Sequence, residues 1–257
     1  MNDEALLELA ADLAQRAGEI ILEIRGRGFE TLRKADRSPV TEADHAAEAL
    51  IVNGLRAATP EIPVIAEEEV EAGMAPGPQS QYWLVDPLDG TREFAAMRDE
   101  FTVNIGLVRD GTAVLGAVHV PALGELFGGM LGPPALAWKR TASGQLPICA
   151  RHPPEAGMHV LASRQYRDDP RLGEFLMGRP VARVSNLGSA LKIVRLAEGE
   201  GDLYPRLGRT MEWDTAGPQA ILEAAGGTLR DMHGAPLRYG KPGWANPAFV
   251  CSGSGHG

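Results

Sequence analysis

The sequence predicts an α+β protein with an antiparallel sheet in its N-terminal half and a mixed α/β arrangement in its C-terminal half. Amphipathic helical patterns open the chain. Three β-rich runs separated by turn residues then follow between residues 101 and 130. Further along, short apolar strands alternate with short helical segments. The change of pattern places a boundary near residue 150, so we expect one half over 1–150 and the other over 151–257.

Two amphipathic helices account for the start of the chain. Over residues 3–25, apolar side chains recur at helical spacing and polar side chains fill the other face. The apolar positions are Leu6, Leu9, Ala10, Leu13, Ala17, Ile20, Ile21 and Ile24. Thr41 is the predicted N-cap of a second helix that runs to about Ala58, and Asp44 lies in the first turn of that helix.

Short apolar strands follow the helices. Pro63 to Ala66 forms one strand, which ends at the glutamates of 67–69. Tyr82 to Val85 forms the next, and the chain leaves it abruptly at Asp86. The three β-rich runs are Phe101 to Val108, Ala113 to Val120 and Glu125 to Met130. Because turn residues separate them, these runs predict an antiparallel meander.

The second half alternates between strands and helices. The predicted strands are His159 to Ala162, Val181 to Val184, Asp202 to Tyr204, Thr228 to Arg230 and Phe249 to Cys251. The predicted helices are 169–177, Ser189 to Ala197 and Thr215 to Ala225. Residues 252–257 are small and polar, so we expect a disordered tail there.

Composition excludes several classes of protein. The formal net charge of −9 argues against a general nucleic-acid-binding protein, which usually carries a basic face. Cys149 and Cys251 lack the spacing of a zinc site, and buried, inert thiols are expected. The acidic N-terminus is no secretory signal, and no apolar stretch is long enough for a membrane span. We therefore expect a cytoplasmic protein, and loose association with the inner face of the membrane stays open.

The segment from Asp86 to Thr91 carries the strongest chemical signal. Pro87 restricts the backbone, and the resulting turn can aim the carboxylates of Asp86 and Asp89 and the carbonyl of Leu88 at one point. Hard oxygen ligands of this kind suit Mg²⁺, which tends to bridge to substrate phosphate. The glycine and threonine that follow offer an open backbone to a phosphate. A plain surface turn is the competing interpretation.

Two further acidic positions belong to the same hypothesis. Glu67 ends a predicted strand, and Asp214 opens a predicted helix after Trp213. Loops gather at such element ends, and sites usually form there. Taken alone, Asp214 is as consistent with a helix N-cap as with a metal ligand. A polar strand end is the ordinary interpretation of Glu67.

At these residues the sequence resembles the inositol monophosphatase-like superfamily of Mg²⁺-dependent, Li⁺-sensitive phosphatases. The segments that carry the resemblance are Ala66 to Glu68, Trp83 to Phe94, Glu212 to Gly217 and Glu223 to Gly227. A narrower resemblance is to the CysQ-type 3′(2′),5′-bisphosphate nucleotidases. It is carried by Lys34 to Asp44, Tyr82 to Phe94, Glu100 to Ile105, Gly188 to Lys192, Ala197 to Gly199 and Leu203 to Arg206. Residues 208–212 depart from the usual apolar lead-in to Trp213, which leaves the substrate-side loop undefined.

The resemblance implies a layered α/β/α/β/α sandwich and a site that holds two or three Mg²⁺ ions. The implied metal ligands are Glu67, Asp86, the Leu88 carbonyl, Asp89 and Asp214. Asp44 is implied beside a weaker metal, while Gly90 and Thr91 hold the scissile phosphate. In the mechanism that follows, Thr91 and Glu67 orient a water molecule and take its proton, so Glu67, Thr91 and Asp44 are the catalytic candidates.

The substrate is inferred from a second set of residues. Lys192 and Arg206 are candidate cations for a second phosphate, and Ser189 is a candidate hydrogen-bond donor on the same predicted helix face as Lys192. This favours adenosine 3′,5′-bisphosphate, a by-product of sulfate assimilation, hydrolysed to AMP and phosphate. An ordinary solvated lysine is the alternative for Lys192. An inositol or small sugar phosphatase and a non-catalytic Mg²⁺-dependent nucleotide-binding protein stay open, as does a monomer or a homodimer; no stable protein partner is implied.

Overall fold

Capped helices begin the structure, a computed structural model that describes residues 1–33, 39–77 and 79–254. The first helix starts after Asn2, whose side chain accepts a hydrogen bond from the Ala5 backbone N–H at 2.9 Å. The second starts after Thr41, the predicted N-cap. Both predicted helices are thus present, with closely matching bounds. Residues 34–38 of the resemblance and residues 255–257 of the predicted tail lie outside the described residues. The tail prediction is wrong at its start, because Ser252 belongs to a strand and the Gly253 backbone N–H donates to the Asp202 carbonyl oxygen at 2.9 Å.

Seven α-helices and sixteen strands are assigned within the described ranges. The helices are α1 (Asp3–Arg27), α2 (Glu42–Ala58), α3 (Glu67–Glu71), α4 (Thr91–Ala95), α5 (Pro170–Leu176), α6 (Leu191–Ala197) and α7 (Ala216–Ala224), with 3₁₀ turns at Pro121–Leu123, Arg164–Tyr166 and Pro242–Trp244. Strands of the first half are β1 (Thr31–Arg33), β2 (Pro39–Thr41), β3 (Val64–Ala66), β4 (Gln81–Asp89), β5 (Thr102–Arg109), β6 (Thr112–Val120), β7 (Glu125–Met130), β8 (Leu136–Thr141) and β9 (Gly144–Pro147). Strands of the second half are β10 (Met158–Ser163), β11 (Val181–Leu187), β12 (Leu203–Arg206), β13 (Thr210–Met211), β14 (Thr228–Asp231), β15 (Ala245–Asn246) and β16 (Phe249–Ser252).

The larger sheet has seven strands in the order β3-β4-β5-β6-β7-β8-β9. Only β3 and β4 are parallel, and each later pair is antiparallel, so the predicted meander is present and extends through β8 and β9. Successive side chains of a strand point to opposite faces. Ile105 and Leu107 accordingly pack in the core built with α1 and α2, whereas Gly106 faces α7. Helices thus cover both faces of this sheet.

Helix α7 lies unusually close to the sheet. A Cβ atom at Gly116 of β6 would lie 2.3 Å from the Cα of Gly217 in α7, and one at Gly106 would lie 2.5 Å from the Gly217 nitrogen. Such distances leave no room for a side chain on either strand. The glycines therefore allow backbone-to-backbone contact between the second half's helix and the first half's sheet.

The smaller sheet has five strands in the order β11-β10-β12-β16-β14, with parallel and antiparallel pairs. On one face, Leu161 and Tyr204 pack in the core shared with α6 and α7. On the other, Val160 and Leu203 pack with Phe175 of α5. The order of layers is therefore α1 and α2, large sheet, α6 and α7, small sheet, α5. This confirms the predicted α/β/α/β/α sandwich, while a division into domains at residue 150 stays a prediction.

Several local predictions need correction. The chain does not leave β4 at Asp86, because the strand continues to Asp89 through a register shift opposite β5. The glutamates after β3 form the short helix α3 rather than an extended strand end. Cys149 is exposed and not buried, whereas Cys251 is buried as expected. Among the described residues, no helix is both long and apolar enough to cross a membrane.

Candidate active site

The turn that ends β4 is held by its own polar groups. Asp86 Oδ1 accepts a hydrogen bond of 3.0 Å from the Leu88 backbone N–H, and the Thr91 hydroxyl lies 3.1 Å from the Leu88 carbonyl oxygen. Gly90 adopts φ +95°, and a Cβ there would lie 3.0 Å from the Glu100 carbonyl oxygen. Only glycine fits both conditions without strain. The turn therefore has a defined geometry, unlike an ordinary solvated surface turn.

Asp44 reaches this turn from helix α2. Its Oδ2 atom accepts from the Thr41 backbone N–H at 2.7 Å and from the Thr41 hydroxyl at 2.8 Å, which forms a capping box at the helix start. The other oxygen, Oδ1, accepts a 3.2 Å hydrogen bond from the Thr91 hydroxyl. Asp44 is buried. A helix cap thus orients a carboxylate toward the threonine of the β4 turn.

Glu67 is the first residue of α3, and a second carboxylate fixes that helix. Glu48 of α2 accepts from the backbone N–H groups of Glu68 at 2.8 Å and of Glu69 at 3.1 Å. Burial raises the pKa of Glu48 to about 7, and the negative charge of the neighbouring glutamates adds to the effect. Glu48 thereby holds the first turn of α3 and the position of Glu67.

Asp214 lies in the turn before α7 and does not cap that helix. Its Oδ2 accepts from the Met211 backbone N–H at 2.9 Å, behind it in the chain, and no side chain caps α7. The N-cap interpretation of Asp214 is therefore wrong. Burial raises the pKa of Asp214 to about 8, and the nearby charges of Asp89 and Glu67 act in the same direction.

Glu212 belongs to the segment 208–212, which differs from the apolar residues that usually precede Trp213 in the resembling family. Its fully buried carboxylate accepts 2.8 Å hydrogen bonds from the backbone N–H groups of Gly240 and Lys241, and the Lys241 ammonium lies 2.6 Å away. Glu212 thus anchors the loop at 240–241 and does not line the cavity.

The carboxylates of three separate segments influence one another electrostatically. Burial raises the pKa of Asp86 well above its ordinary value, and the charges of Glu67, Asp89 and Asp214 raise it further. Burial also raises the pKa of Asp89, although the Lys192 charge and the Ala190 N–H oppose that shift. Within the described ranges, no three Asp, Glu, His or Cys side chains form a preassembled metal cage. A cation between these carboxylates would offset their repulsion, so the donor set fits a hard divalent ion.

A cavity of about 250 Å³ contains most of the predicted site. It is lined by Glu67, Asp89, Gly90, Thr91, Ser189, Lys192, Arg206 and Asp214, together with Arg92, Glu93, Ser163, Gln165, Gly188, Ala190, Ile193, Tyr204, Thr210, Thr215 and Phe249. Asp44, Asp86 and Leu88 lie behind this surface and reach it through the hydrogen bonds of the β4 turn. The structure therefore brings the predicted residues together, and their individual roles stay predictions.

The structure places Ser189 outside helix α6 and buries Lys192, which differs from the predicted positions of both residues. Helix α6 begins at Leu191, and Ser189 lies in the preceding turn with φ +46°, so the shared helix face is wrong. The Ser189 hydroxyl oxygen accepts from the Leu191 N–H at 3.2 Å. Lys192 is 2% exposed, which excludes an ordinary solvated lysine, and its ammonium donates to the Leu187 and Ser189 carbonyl oxygens. Burial lowers the pKa of Lys192 to about 8, and the nearby Arg206 charge adds to this effect.

Arg206 reaches the cavity from the end of β12. Its guanidinium lies 4.9 Å from the centre of the Tyr166 ring, a cation–π contact, and donates to the Arg209 carbonyl oxygen at 2.8 Å. The Arg206 Nε atom is buried and has no hydrogen-bond partner among the described residues. A buried donor without a partner is costly, so an anion beside this guanidinium would be favourable.

Some residues that shape the site carry no signal that sequence reasoning used. Asn104 of β5 lies opposite Asp86 and places its amide nitrogen 3.5 Å from Asp89 Oδ2. The Ala190 backbone N–H donates to the same oxygen at 2.6 Å. Asn104 lies within a segment that resembles the nucleotidases, and that was the one available signal. The backbone contact has no residue-type signature.

Comparisons with known proteins identify the family of this chain. The family model described as "Inositol monophosphatase family" matches residues 2–253. A 3′(2′),5′-bisphosphate nucleotidase CysQ from Salmonella typhimurium is 41% identical over 249 residues, which cover 95% of this chain and 98% of that protein. The crystal structure of CysQ from Bacteroides thetaiotaomicron superposes with a TM-score of 0.81 at 32% identity and 99% coverage of both chains. An inositol monophosphatase from Anabaena gives 0.78 at 26% identity, over 99% of this chain and 92% of that one. The protein belongs to the inositol monophosphatase family.

Proposed function

We propose that this protein is a Mg²⁺-dependent 3′(2′),5′-bisphosphate nucleotidase that hydrolyses adenosine 3′,5′-bisphosphate to AMP and phosphate. One observation carries the proposal. The same cavity is lined by an acidic group that suits a metal, which includes Asp89 and Asp214, and by Lys192 and Arg206. A substrate with two phosphates uses both features, because one phosphate meets the metal and the other meets the cations. The names of the Salmonella and Bacteroides relatives support this choice.

The metal ligands that we propose come from three segments. Glu67, Asp86, the Leu88 carbonyl, Asp89 and Asp214 would hold two or three Mg²⁺ ions. When bound, these ions offset charge on the phosphate and make a water molecule more acidic. Burial raises the pKa of Asp86 and repulsion by the neighbouring acids raises it further, which supports the assignment because a divalent cation would offset both effects. Gly90 and Thr91 would contact the scissile phosphate.

Proton transfer is assigned to the threonine–carboxylate pair at the β4 turn and to Glu67. The Thr91 hydroxyl lies 3.2 Å from Asp44 Oδ1 and 3.1 Å from the Leu88 carbonyl oxygen, both of which can only accept its proton, so the lone pairs of Thr91 Oγ1 are oriented away from them. One of these lone pairs accepts a hydrogen bond from the attacking water. Glu67 accepts the proton as the water oxygen attacks phosphorus and the ester oxygen leaves. Asp44 therefore acts by orienting Thr91, and these residues position the reactants more than they form covalent bonds with them.

The second phosphate would bind Arg206 and Lys192. Arg206 has a buried Nε–H without a partner in the described part of the chain, and Lys192 carries a buried ammonium whose pKa is lowered. An approaching phosphate would supply the missing acceptor and favour the charged form of Lys192. Ser189, which lines the cavity in the turn before α6, is the proposed hydrogen-bonding residue. An inositol monophosphate leaves these groups without an anion.

One assay separates the candidate functions. Phosphate release is measured with adenosine 3′,5′-bisphosphate and with inositol 1-phosphate, in Mg²⁺, with and without Li⁺. We expect preference for the bisphosphate, and inhibition by Li⁺. Preference for inositol 1-phosphate would establish the sugar phosphatase instead, and nucleotide binding without turnover of either compound would establish a binding protein.

The cytoplasmic location and the monomeric or homodimeric state belong to the same proposal.

Variants test the cations directly. Lys192→Met and Arg206→Met are expected to raise KM for the bisphosphate about 10-fold or more, because each removes a charge-assisted contact worth roughly 1.5–3 kcal/mol. The same variants should change KM for a simple phosphate monoester much less. Arg209→Met is the matched control, since Arg209 is a neighbouring exposed arginine. Equal effects on both substrates would refute the assigned role of the cations.

A further inference from the structure

Glu100 and Arg164 form an ion pair that does not line the cavity and that the proposed mechanism does not use. Glu100 lies between α4 and β5 in the first half, and Arg164 begins the 3₁₀ turn after β10 in the second half. The guanidinium contacts both carboxylate oxygens, with Nη2 2.6 Å and Nε 3.2 Å from Oε2. Such two-pronged contacts fix orientation as well as distance. The pair therefore connects the two halves at one defined geometry.

The same carboxylate also holds the turn before α6. Glu100 Oε2 accepts a 2.8 Å hydrogen bond from the Gly188 backbone N–H, and Arg164 donates at 3.3 Å to the Asn186 carbonyl oxygen. Contact is close, because a Cβ at Gly188 would lie 2.7 Å from the Glu100 carbonyl oxygen. Three segments thus meet at one carboxylate: its own loop, the 3₁₀ turn and the turn at 188–190.

Both attached segments face the cavity. From the turn at 188–190, the Ala190 N–H donates to Asp89 at 2.6 Å, and residues 188–190 line the cavity wall. From the 3₁₀ turn, Gln165 lines the cavity, while the Tyr166 ring lies against the Arg206 guanidinium at 4.9 Å. A displacement of Arg164 would therefore move the Tyr166 ring, against which the Arg206 guanidinium packs.

We propose that Glu100 and Arg164 are a positioning pair for nucleotide recognition. The pair sets the cavity wall formed by Gln165 and the 188–190 turn, and through the neighbouring Tyr166 ring it orients Arg206 toward the non-scissile phosphate. This inference rests on the proposed nucleotidase function. Neither residue touches the substrate in this account. Supporting groups of this kind typically change affinity 10–100-fold when they are removed.

Equilibrium binding of AMP tests the proposal without turnover. AMP carries the phosphate that Arg206 is proposed to hold and lacks the scissile phosphate. Its Kd is measured by calorimetry in Mg²⁺ for the unmodified protein, Arg164→Met, Glu100→Gln and the double variant. We expect each single variant to weaken AMP binding about 10-fold. Because the two residues act through each other, we expect the double variant to be no weaker than the worse single variant.

Arg151→Met is the matched control. Arg151 forms a comparable two-pronged ion pair with Asp202, at 2.7 and 2.9 Å, but lines no part of the cavity. If the loss of an ion pair weakens AMP binding only by lowering stability, Arg151→Met should bind AMP more weakly as well. If Glu100 and Arg164 act by positioning, Arg151→Met should bind AMP like the unmodified protein. Inorganic phosphate, measured as a competitive inhibitor, should lose less affinity than AMP in the Glu100 and Arg164 variants, because it uses the metal side of the cavity, which the pair reaches only through the Ala190 contact to Asp89.

The outcomes separate this inference from the proposed function. Hydrolysis of the bisphosphate by the unmodified protein, with AMP binding unchanged in folded Glu100→Gln and Arg164→Met, would overturn the positioning role and leave the nucleotidase intact. Loss of AMP binding in the Arg151→Met control to the same degree would also overturn it. Absence of both hydrolysis and AMP binding in the unmodified protein would overturn both proposals. If Arg164→Met does not fold, the nearly isosteric Glu100→Gln decides.

Discussion

The backbone N–H of Ala190 donates a 2.6 Å hydrogen bond to Asp89 Oδ2, which ties a turn of the second half to the acidic turn of the first. The contact crosses 101 positions of sequence. Asp89 also lies 3.5 Å from the Asn104 amide nitrogen, so one carboxylate oxygen has two donors from different elements. Its orientation is therefore set by the fold, and the remaining oxygen is available for a ligand.

Asp89→Asn is the first test of the acidic group. The change keeps the shape of the side chain but removes a charge that we assign to a metal ligand. We expect kcat for adenosine 3′,5′-bisphosphate to fall by at least 10²–10³-fold, roughly the cost of losing one charge-stabilising group. The melting temperature of the metal-free protein should not fall, because burial already disfavours the Asp89 charge and because removing it relieves repulsion on Asp86 and Asp214.

A surface control accompanies this measurement. Asp12→Asn removes an exposed carboxylate of α1 that pairs with Arg16 at 3.1 Å. It should leave kcat within experimental error, since exposed ion pairs contribute little. Near-normal turnover in Asp89→Asn would refute the assignment of the acidic turn, whatever the stability of the variant.

Glu48→Gln tests the support of Glu67. Each oxygen of Glu48 accepts one backbone N–H of α3, and an amide has only one accepting oxygen, so one N–H would then face an NH₂ group. We expect the start of α3 to shift and the Mg²⁺ concentration for half-maximal activity to rise about 10-fold, as for other groups that orient ligands. Direct Mg²⁺ titration by calorimetry should show the same change.

Glu42→Gln provides the matched comparison for Glu48. Glu42 lies on the same helix, is exposed, and pairs with Arg27 at 3.1 Å. Its Mg²⁺ dependence should match that of the unmodified protein. An unchanged Mg²⁺ affinity in Glu48→Gln would show that Glu67 needs no such support.

Periodicity and turn residues predicted most of the elements, because their signals are local. Helices α1 and α2 follow from apolar spacing and the Thr41 cap, and the β5-β6-β7 meander follows from turn residues between β-rich runs. The acidic turn was recognised because its chemistry lies in consecutive residues. Local signals of this kind need no knowledge of the tertiary structure.

Residues whose environment depends on long-range packing were not predicted. The buried position of Lys192 depends on Tyr204 and on the carbonyl groups of the preceding turn, which no helical pattern reveals. The Cys149 thiol lies beside a short edge strand that the sequence did not indicate, so its exposure was missed. The Glu100–Arg164 pair joins segments 64 positions apart, and although Glu100 lies in a segment that resembles the nucleotidases, no local pattern connects it with Arg164.

His119 predicts a pH dependence of stability. Burial lowers its pKa to about 4, against an ordinary value of 6.5, and its Nδ1 lies 3.1 Å from the Ala14 carbonyl oxygen. A lowered histidine pKa stabilises the folded protein at pH values above the pKa of the unfolded chain. That contribution is lost as the pH falls from 6.5 through 4. We expect the unmodified protein to lose roughly 3 kcal/mol more than His119→Asn between pH 7 and pH 4. Denaturant unfolding at each pH measures this difference.

The exposed residue His233 controls for the histidine substitution itself. His233→Asn should follow the unmodified protein at every pH, because the His233 side chain is exposed and is not part of the folded core. If His119→Asn and the unmodified protein lost stability in parallel on acidification, the buried neutral imidazole would not be the cause.

Gly116→Ala tests the contact between α7 and the large sheet. The new Cβ would lie 2.3 Å from the Cα of Gly217 and 2.6 Å from its carbonyl oxygen, both of them backbone atoms that cannot rotate away. Since overpacking of a core typically costs about 1–3 kcal/mol, we expect at least this loss in the free energy of unfolding.

Gly26→Ala is the comparison, because Gly26 lies in α1 with no atom within 4 Å of its new Cβ. That variant should be neutral or more stable by about 0.5–1 kcal/mol. Equal stability of the two variants would mean that α7 can move away from the sheet, and Asp214, directly before α7, would then lack the fixed position that the proposed metal site requires.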